Sequence, residues 1–555
     1  MDLRHVGIAP ERYLKFIILP SVFLAVIFLV FLLTILKPIM ELLGLFSVLL
    51  YFVPLLVFLI ALLYPKIVEG RLRNQIENNI HLYITHMGTL ATSEIDRKRM
   101  MEILMERKEY KALAEETRKI YILMAKWNRN LSQACRFLAK RTPSRILADF
   151  LDRMAHEIDS GEDFKDFIKR EQKIIMDAFT TMYQGKLYSI DIFKEIYVSI
   201  ILSLSFFAAF AIIMPFLTGI NVMMTLYLIV IFFVITEIGV LTYLRAVAPD
   251  DNVWQMSGRF TKVDRKLYKI FSISLIVCLI IFTITLVLSY IYKIVEIPVP
   301  FIVSLSVTPL FIPGIFAKKE ESLIHNKDKN APSFIMSLGA SASARGGDIL
   351  ESLKYLTAHD FGSLTNDIRA LYKRLVTKIN KKLAWQIFSI ETGSNLIYRF
   401  TDMFIEAISI GSDPKEVAEI VSKNFTTMNN LRARRLQSAG SFTGIAYGVI
   451  IGIAFTLYIS FGLIESMSEL YSSLEISQEY IGSILYIIPK EDLSFMNFAI
   501  LFILFFHAVL SSISLKLIDG GRFMGGLVHT VGMIWLAAIS GFASQQVITN
   551  LISIK

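Results

Sequence analysis

Nine runs of about 20 apolar residues, each long enough to cross a bilayer, dominate this chain. They lie near 14–36, 42–64, 196–218, 222–244, 271–292, 297–317, 440–463, 496–516 and 527–551. A helix advances about 1.5 Å per residue, so such a run spans a hydrocarbon core with its backbone hydrogen bonds closed internally. The composition agrees. Of 555 residues, 54% are hydrophobic and 19% charged, more apolar surface than a water-soluble domain can hide. No small-residue cleavage site follows the first run, so it reads as a retained span. The run at 297–317 is the weakest, because Pro298, Pro300, Pro309 and Pro313 each remove a backbone donor. The expected fold is all-α and polytopic.

Lys and Arg in the loops give the orientation. With nine spans, one side of the membrane receives only Lys37, Lys293, Lys490 and Lys555 of the 57 basic residues. The opposite, basic side is read as cytoplasmic. This predicts an N-terminal pair of spans in 1–64, a cytoplasmic domain in 65–195, four spans in 196–317, a second cytoplasmic domain in 318–439 and three spans in 440–555. The segment 464–495 is acidic and external, and the C-terminus is external too. Cys135 and Cys278 are the only cysteines, so no disulfide framework is expected.

The two cytoplasmic domains read as helical, with apolar residues three and four apart, as in Phe150, Met154, Ile158 and in Ile349, Leu353, Leu356. They also read as copies. A shift of about 250 residues lays Met87-Gly88 over Leu338-Gly339, Leu113 over Leu364, Arg118 over Arg369 and Tyr121 over Tyr372. Further on, Phe150-Leu151-Asp152 meets Phe400-Thr401-Asp402, and Gly161-Glu162-Asp163 meets Gly411-Ser412-Asp413. Gly161 and Gly411 suit the left-handed residue that ends a helix. Asp163 and Asp413 then suit N-caps, with Pro414 at a first helical position. Gly346-Gly347 followed by Asp348 is a similar helix start, with Glu351 at capping-box spacing.

No phosphate-binding loop ending in Lys-Ser or Lys-Thr occurs; Gly185-Lys186 is followed by Leu187. His156-Glu157 lacks the second histidine of a zinc-protease helix, since Ser160 stands in its place. His81 and His86 are five apart, on different faces of a helix, and read as surface histidines. No metal, cofactor or catalytic residue is expected. Glu237 is the one carboxylate well inside a span, a candidate for ion or proton passage. Its distance of two turns from Arg245 favours partial exposure or a local pair. His507 and His529 read as packing or hydrogen-bonding residues. Among the basic clusters, Arg432 with Arg434-Arg435 stands just before the seventh span, and lipid headgroups account for it. Arg97-Lys98-Arg99, Lys373-Arg374 and Lys381-Lys382 lie farther from any span and are candidates for docking an acidic partner. Aromatic residues are not interleaved with them, so nucleic acid is not expected.

The duplicated pattern of apolar helix, Gly-x-Asp or Gly-Gly-Asp, and apolar helix, each copy followed by spans, resembles the type II secretion F domain. With two large cytoplasmic segments and nine spans, it is most similar to that family's archaeal branch and its archaellum assembly platforms. The first copy departs from the pattern, with Glu94-Ile95-Asp96 where the second has Arg345-Gly346-Gly347. The resemblance implies a homodimeric, non-enzymatic platform in the cytoplasmic membrane. Its partners would be a hexameric secretion ATPase, archaellin or other pilin-like subunits, and other archaellum base proteins. An adhesion-pilus platform is the neighbouring reading. A transporter is the rival from another class, although transporter repeats are mostly membrane helices around a midplane site.

Overall fold

The computed structural model describes residues 10–34, 47–291, 298–473 and 488–553. Among these the regular structure is helical, apart from one bridge between Trp254 and Ser394. Among the described residues eight helices are long and apolar enough to cross a membrane. The predicted run 42–64 begins outside the described residues, and its remainder opens helix Ser47–Glu77. The chain forms two compact units: Met1–Thr180 with Glu406–Val421, and Thr181–Ile405 with Ser422–Lys555.

In the first unit, α1 runs through Pro10–Tyr13, a π-helical stretch Leu14–Ile18, and Leu19–Thr34. Tyr13 Oη donates to Ala61 O at 2.9 Å, tying α1 to α2, Ser47–Glu77. A helical bundle follows: α3 Ile80–Leu90, α4 Arg97–Glu106, α5 Ala112–Lys126, α6 Leu131–Ala139, α7 Arg145–Ser160 and the start of α8, Phe164–Thr218. All of α3 is buried, so it is the bundle's central rod. That overturns the surface reading of its two histidines. His81 stacks on Phe179, ring centres 3.6 Å apart, and His86 lies 3.0 Å from Tyr110 Oη. Side chains of Asp96, Asn130 and Ser144 cap α4, α6 and α7. Phe150 and Met154 are buried as the spacing predicts, and Ile158 is half-buried.

The second unit holds the rest of α8 and α9, Val222–Val247, followed by α10, Lys262–Leu286. Next come α11 Val299–Val307, α12 Phe311–Ser343, α13 Ile349–Leu356, α14 Thr365–Val376 and α15 Lys381–Thr392. It also holds most of α16, Asn395–Ser409, and of α17, Pro414–Ser473, then α18, Lys490–Asp519, and α19, Phe523–Ser553. The prolines of the sixth predicted span do less damage than their number suggests. Pro298 caps α11, Pro300 lies in its first turn, Pro309 is the second residue of the 3-10 turn Thr308–Leu310, and Pro313 is in the first turn of α12. N–H groups in a first turn lack intrahelical acceptors, so little is lost there.

The same succession of elements occurs twice. An Asp-capped helix (α4, α13) is followed by a 3-10 turn, at Lys108–Tyr110 and at Gly362–Leu364. A helical hairpin follows (α5–α6, α14–α15), then another helix (α7, α16) and a long one (α8, α17). The hairpin turns agree residue by residue. Asn128 and Lys378 both have positive φ, and two residues later Asn130 and Asn380 each cap the returning helix. No loop marks the expected boundaries at 195 and 439, because α8 and α17 run through them for 55 and 60 residues.

Candidate functional site

In the second unit, interior turns of α12 and α17, the C-terminal end of α18 and the loop between α9 and α10 converge on a buried charge junction, built from residues far apart in sequence. Arg432, on α17, is its centre. Its Nε and Nη2 fork onto Asp251 at 2.7 and 2.6 Å, Nη1 reaches Asp328 on α12 at 2.9 Å, and Nη2 also donates to Asn252 O. A planar guanidinium can fork onto one carboxylate with two parallel hydrogen bonds while it reaches a second, a geometry that an ammonium does not reproduce. One turn later Arg435 donates to Ile518 O, Leu517 O and Asp251 O at 2.5, 2.9 and 2.7 Å. It thereby caps the open C-terminal carbonyls of α18, whose dipole favours a cation. Both arginines are 3% exposed, which overturns their assignment to lipid headgroups.

The junction continues from α18 to α12. Lys516 Nζ donates to Glu321 at 2.6 Å and to Asp519 at 2.5 Å. Glu321 also accepts from Trp254 Nε1 at 3.2 Å and from Arg522 N at 2.7 Å. The Arg522 guanidinium lies 4.0 Å over the Trp254 ring and pairs with Asp264. Asp264 in turn closes a capping box with Thr261 at the start of α10. Ser394 donates to Asp328, and backbone bonds join Asn395 N to Val253 O and Gln255 N to Gly393 O. Gly520 ends α18 in the left-handed region at φ +82, and a Cβ there would lie 2.6 Å from Arg435 Nη1. A Cβ on Gly521 would strike the Glu321 carboxylate. The string Asp519-Gly520-Gly521-Arg522 was the one legible signal for this site, and the turn reading of glycines passed over it. Burial raises the Asp328 carboxyl to about 6 against the opposing pull of Arg432 and Ser394. The Arg432 pKa is raised, since Asp251 and Asp328 more than offset the burial that opposes its charge.

A second buried cluster lies among α8, α9 and α18. Glu237 pairs with His507, Ser511 Oγ is 3.4 Å from His507 Nε2, and Tyr197 Oη is 2.9 Å from Ser511 Oγ. Glu237 is 1% exposed and His507 0%, so partial exposure is ruled out; the partner is a histidine on another helix. His507 is therefore a hydrogen-bonding residue as expected, and so is His529, 3.2 Å from Tyr447 Oη. In the first unit, Glu406 pairs with His86 at 2.9 Å and Arg107 at 2.5 Å. Its carboxyl falls to about 2, since these partners outweigh the burial that acts against the charge.

The glycines and aspartates of the helix junctions lie at helix ends. Gly161 has φ +76, and Asp163 accepts from Lys165 N and Asp166 N at 2.8 and 3.1 Å. Gly411 has φ +97, and Asp413 accepts from Glu416 N at 3.0 Å in the first turn of α17, which Pro414 opens. Gly346 and Gly347 are both left-handed, and Asp348 accepts from Leu350 N and Glu351 N. The return half of that capping box is replaced, because Asp348 N donates to Arg345 O at 3.5 Å.

The basic candidates divide. Lys373 and Arg374 end α14, Lys381 and Lys382 begin α15, and a four-residue turn brings them to one hairpin tip. Arg374 is held by Glu391, while Lys373, Lys378, Lys381 and Lys382 are exposed beside exposed Val376, Ile379 and Leu383. In the first unit, Arg97 lies over the Phe164 ring at 5.3 Å, Arg99 pairs with Glu102, and Lys98 is exposed. The corresponding tip of α5–α6 was missed. It presents Trp127, 68% exposed, between Lys126 and Arg129. Among the described residues no group of His, Cys, Asp or Glu is placed to hold a metal ion.

These features define a class: an all-helical, multi-span membrane protein whose buried polar groups join helices to one another. Residues 83–212 match the family described as type II secretion system (T2SS), protein F. The chain is 37% identical over 557 residues to Flagella accessory protein J of Methanocaldococcus jannaschii, covering 100% of this chain and 98% of that one. It is 38% identical to Flagella accessory protein J of Methanococcus voltae, covering 99% of this chain and 98% of that one. No solved structure matches it. The chain belongs to the flagella accessory protein J family, a branch of the type II secretion F proteins.

Proposed function

We propose that the chain is the membrane platform of archaellum assembly, a non-enzymatic base that couples a cytoplasmic secretion ATPase to the insertion of pilin-like archaellin subunits. Similarity along the whole length to two flagella accessory proteins supports the assignment. The observation that carries the mechanical reading is α17. It runs unbroken for 60 residues from a helical bundle into a span, and Arg432 and Arg435 fasten it to α12 and to the end of α18. A displacement applied at one end of such a helix is transmitted along it, because packed helices move as rigid bodies.

In this reading the two bundles are cytoplasmic copies of one module, and their repeated order of caps, turns and hairpins supports that. Nine spans put the N-terminus inside and the C-terminus outside. The platform works as a homodimer beside other archaellum base proteins. The ATPase docks on the hairpin tips, where exposed lysines or a lone exposed tryptophan stand beside apolar side chains, the mixture that partner surfaces favour. The test is a binding assay between the purified full chain and the ATPase. Reversing Lys373, Lys381 and Lys382 to glutamate should weaken binding at least ten-fold and flatten its dependence on salt. Unchanged affinity and an unchanged salt slope would remove this tip from the interface.

A further inference from the structure

Once Arg432 and Arg435 are assigned to the junction, one arginine of that cluster remains. Arg434 is exposed and has no carboxylate partner among the described residues. It borders a groove of about 430 Å³ between α8 and α17, together with Tyr188, Gln184 and Gln437. The floor of the groove is built and polar. Lys194, 5% exposed, donates to Asp191 at 2.6 Å, to Ser438 at 2.9 Å and to Ser441 at 2.6 Å. Ser438 Oγ donates to Asp191 at 2.8 Å. The single charge of Asp191 is therefore answered by Lys194, and Arg434 leaves the groove one positive charge in excess.

Depth identifies the ligand. The apolar runs of α8 and α17 begin near 196 and 440, so Arg434 stands six residues before the second of them, about 9 Å along the helix. Headgroup layers add about 5–7 Å on each side of the hydrocarbon core, and an arginine side chain reaches a similar distance toward it. Tyr188, 67% exposed, suits the same interfacial depth, and Ile192, Ile196 and Leu436 offer exposed apolar surface along the entry to the spans. We propose that this groove binds the phosphodiester headgroup of an anionic lipid, with Arg434 on the phosphate, Gln437 as a further donor, and the acyl chains along α8 and α17. The inference rests on the membrane location of the chain and is independent of its partners.

The test is native mass spectrometry of the full chain in detergent micelles supplemented with phosphatidylglycerol, with phosphatidylcholine or with inorganic phosphate. Wild type should retain one phosphatidylglycerol more than Arg434→Gln, with affinity for that lipid about five-fold higher, the effect of one interfacial arginine. Arg434→Lys should keep part of the difference. Tyr188→Glu, at a position 67% exposed, should lose it as Arg434→Gln does. Phosphatidylcholine should show no difference between the variants. Equal retention of phosphatidylglycerol by wild type, Arg434→Gln and Tyr188→Glu would overturn the proposal. Displacement of the lipid by inorganic phosphate at matched concentration would assign the groove to a soluble phosphate and overturn the lipid reading.

Discussion

Arg432 and Arg434 are two residues apart and have opposite fates, which makes them a controlled comparison of buried and exposed charge. Removing the side chain at 432 leaves Asp251 and Asp328 facing each other without a cation. Breaking one side of a buried pair costs about 3–5 kcal/mol. Arg432→Ala should therefore lower the unfolding midpoint by several degrees, whereas Arg434→Ala should stay within about 0.5 kcal/mol of wild type in the same thermal scan. Equal effects would mean that the junction is hydrated and its charges screened. Glu406 provides a pH test. Its folded carboxyl titrates at about 2, below an unfolded value near 4.5, so its stabilisation is present above pH 4.5 and lost as pH falls toward 2. Glu406→Gln should destabilise the protein at pH 7, and the gap to wild type should narrow on acidification. A gap that is constant across that range would remove the charge from the explanation.

At the scale of elements, turn chemistry is the most local information in the chain and was readable for that reason. Gly411 needs only its own φ of +97 and the Asp413-Pro414 start that follows, and a Cβ there would meet open space. Substitution should thus be limited by backbone strain alone. Gly411→Asn should be close to neutral, and Gly411→Val should cost about 1–2 kcal/mol and impair filament assembly even when the protein reaches the membrane. Assembly at the wild-type level by the valine variant would show that this junction carries no load. The junction at Arg432 was illegible for the opposite reason. Its carboxylates lie 181 and 104 residues away, and a basic residue before a span looks the same in sequence whether it faces headgroups or a buried aspartate. Glu237 was half legible, since its charge marked the position but its partner His507 stands 270 residues on. That pair is sealed, so it serves as a cross-helix bond between α9 and α18. Glu237→Gln keeps a hydrogen bond to the imidazole and should assemble filaments nearly normally. A dead Glu237→Gln beside a silent Gly411→Val would instead favour ion-coupled chemistry in the spans.

For the whole molecule, the question is which side of the membrane each bundle occupies, and the helix count between them makes it testable. Four helices long and apolar enough to cross lie between Ser160 and Ser409: Phe164–Thr218, Val222–Val247, Lys262–Ser289 and Val299–Ser343. If all four cross, the even number returns the chain to the side it left, and the concentration of Lys and Arg in both bundles predicts that this side is cytoplasmic. Ser494, exposed at the start of α18, lies beyond one further such helix, Pro414–Leu470, and the same topology predicts that it is outside. Ser412 looks equivalent to Ser409 in sequence, but it is 4% exposed and would be silent to any reagent. The native thiols give little background, because Cys135 is buried, which raises its pKa, and Cys278 lies within a span. Cysteines at Ser160 and Ser409 should therefore resist a membrane-impermeant maleimide in intact cells and react after permeabilisation, while one at Ser494 should react in both. Labelling of Ser409 with protection of Ser160 would require an odd number of crossings between the bundles. One of the four helices would then be interfacial, and a platform that receives its ATPase on both bundles from one side would be excluded.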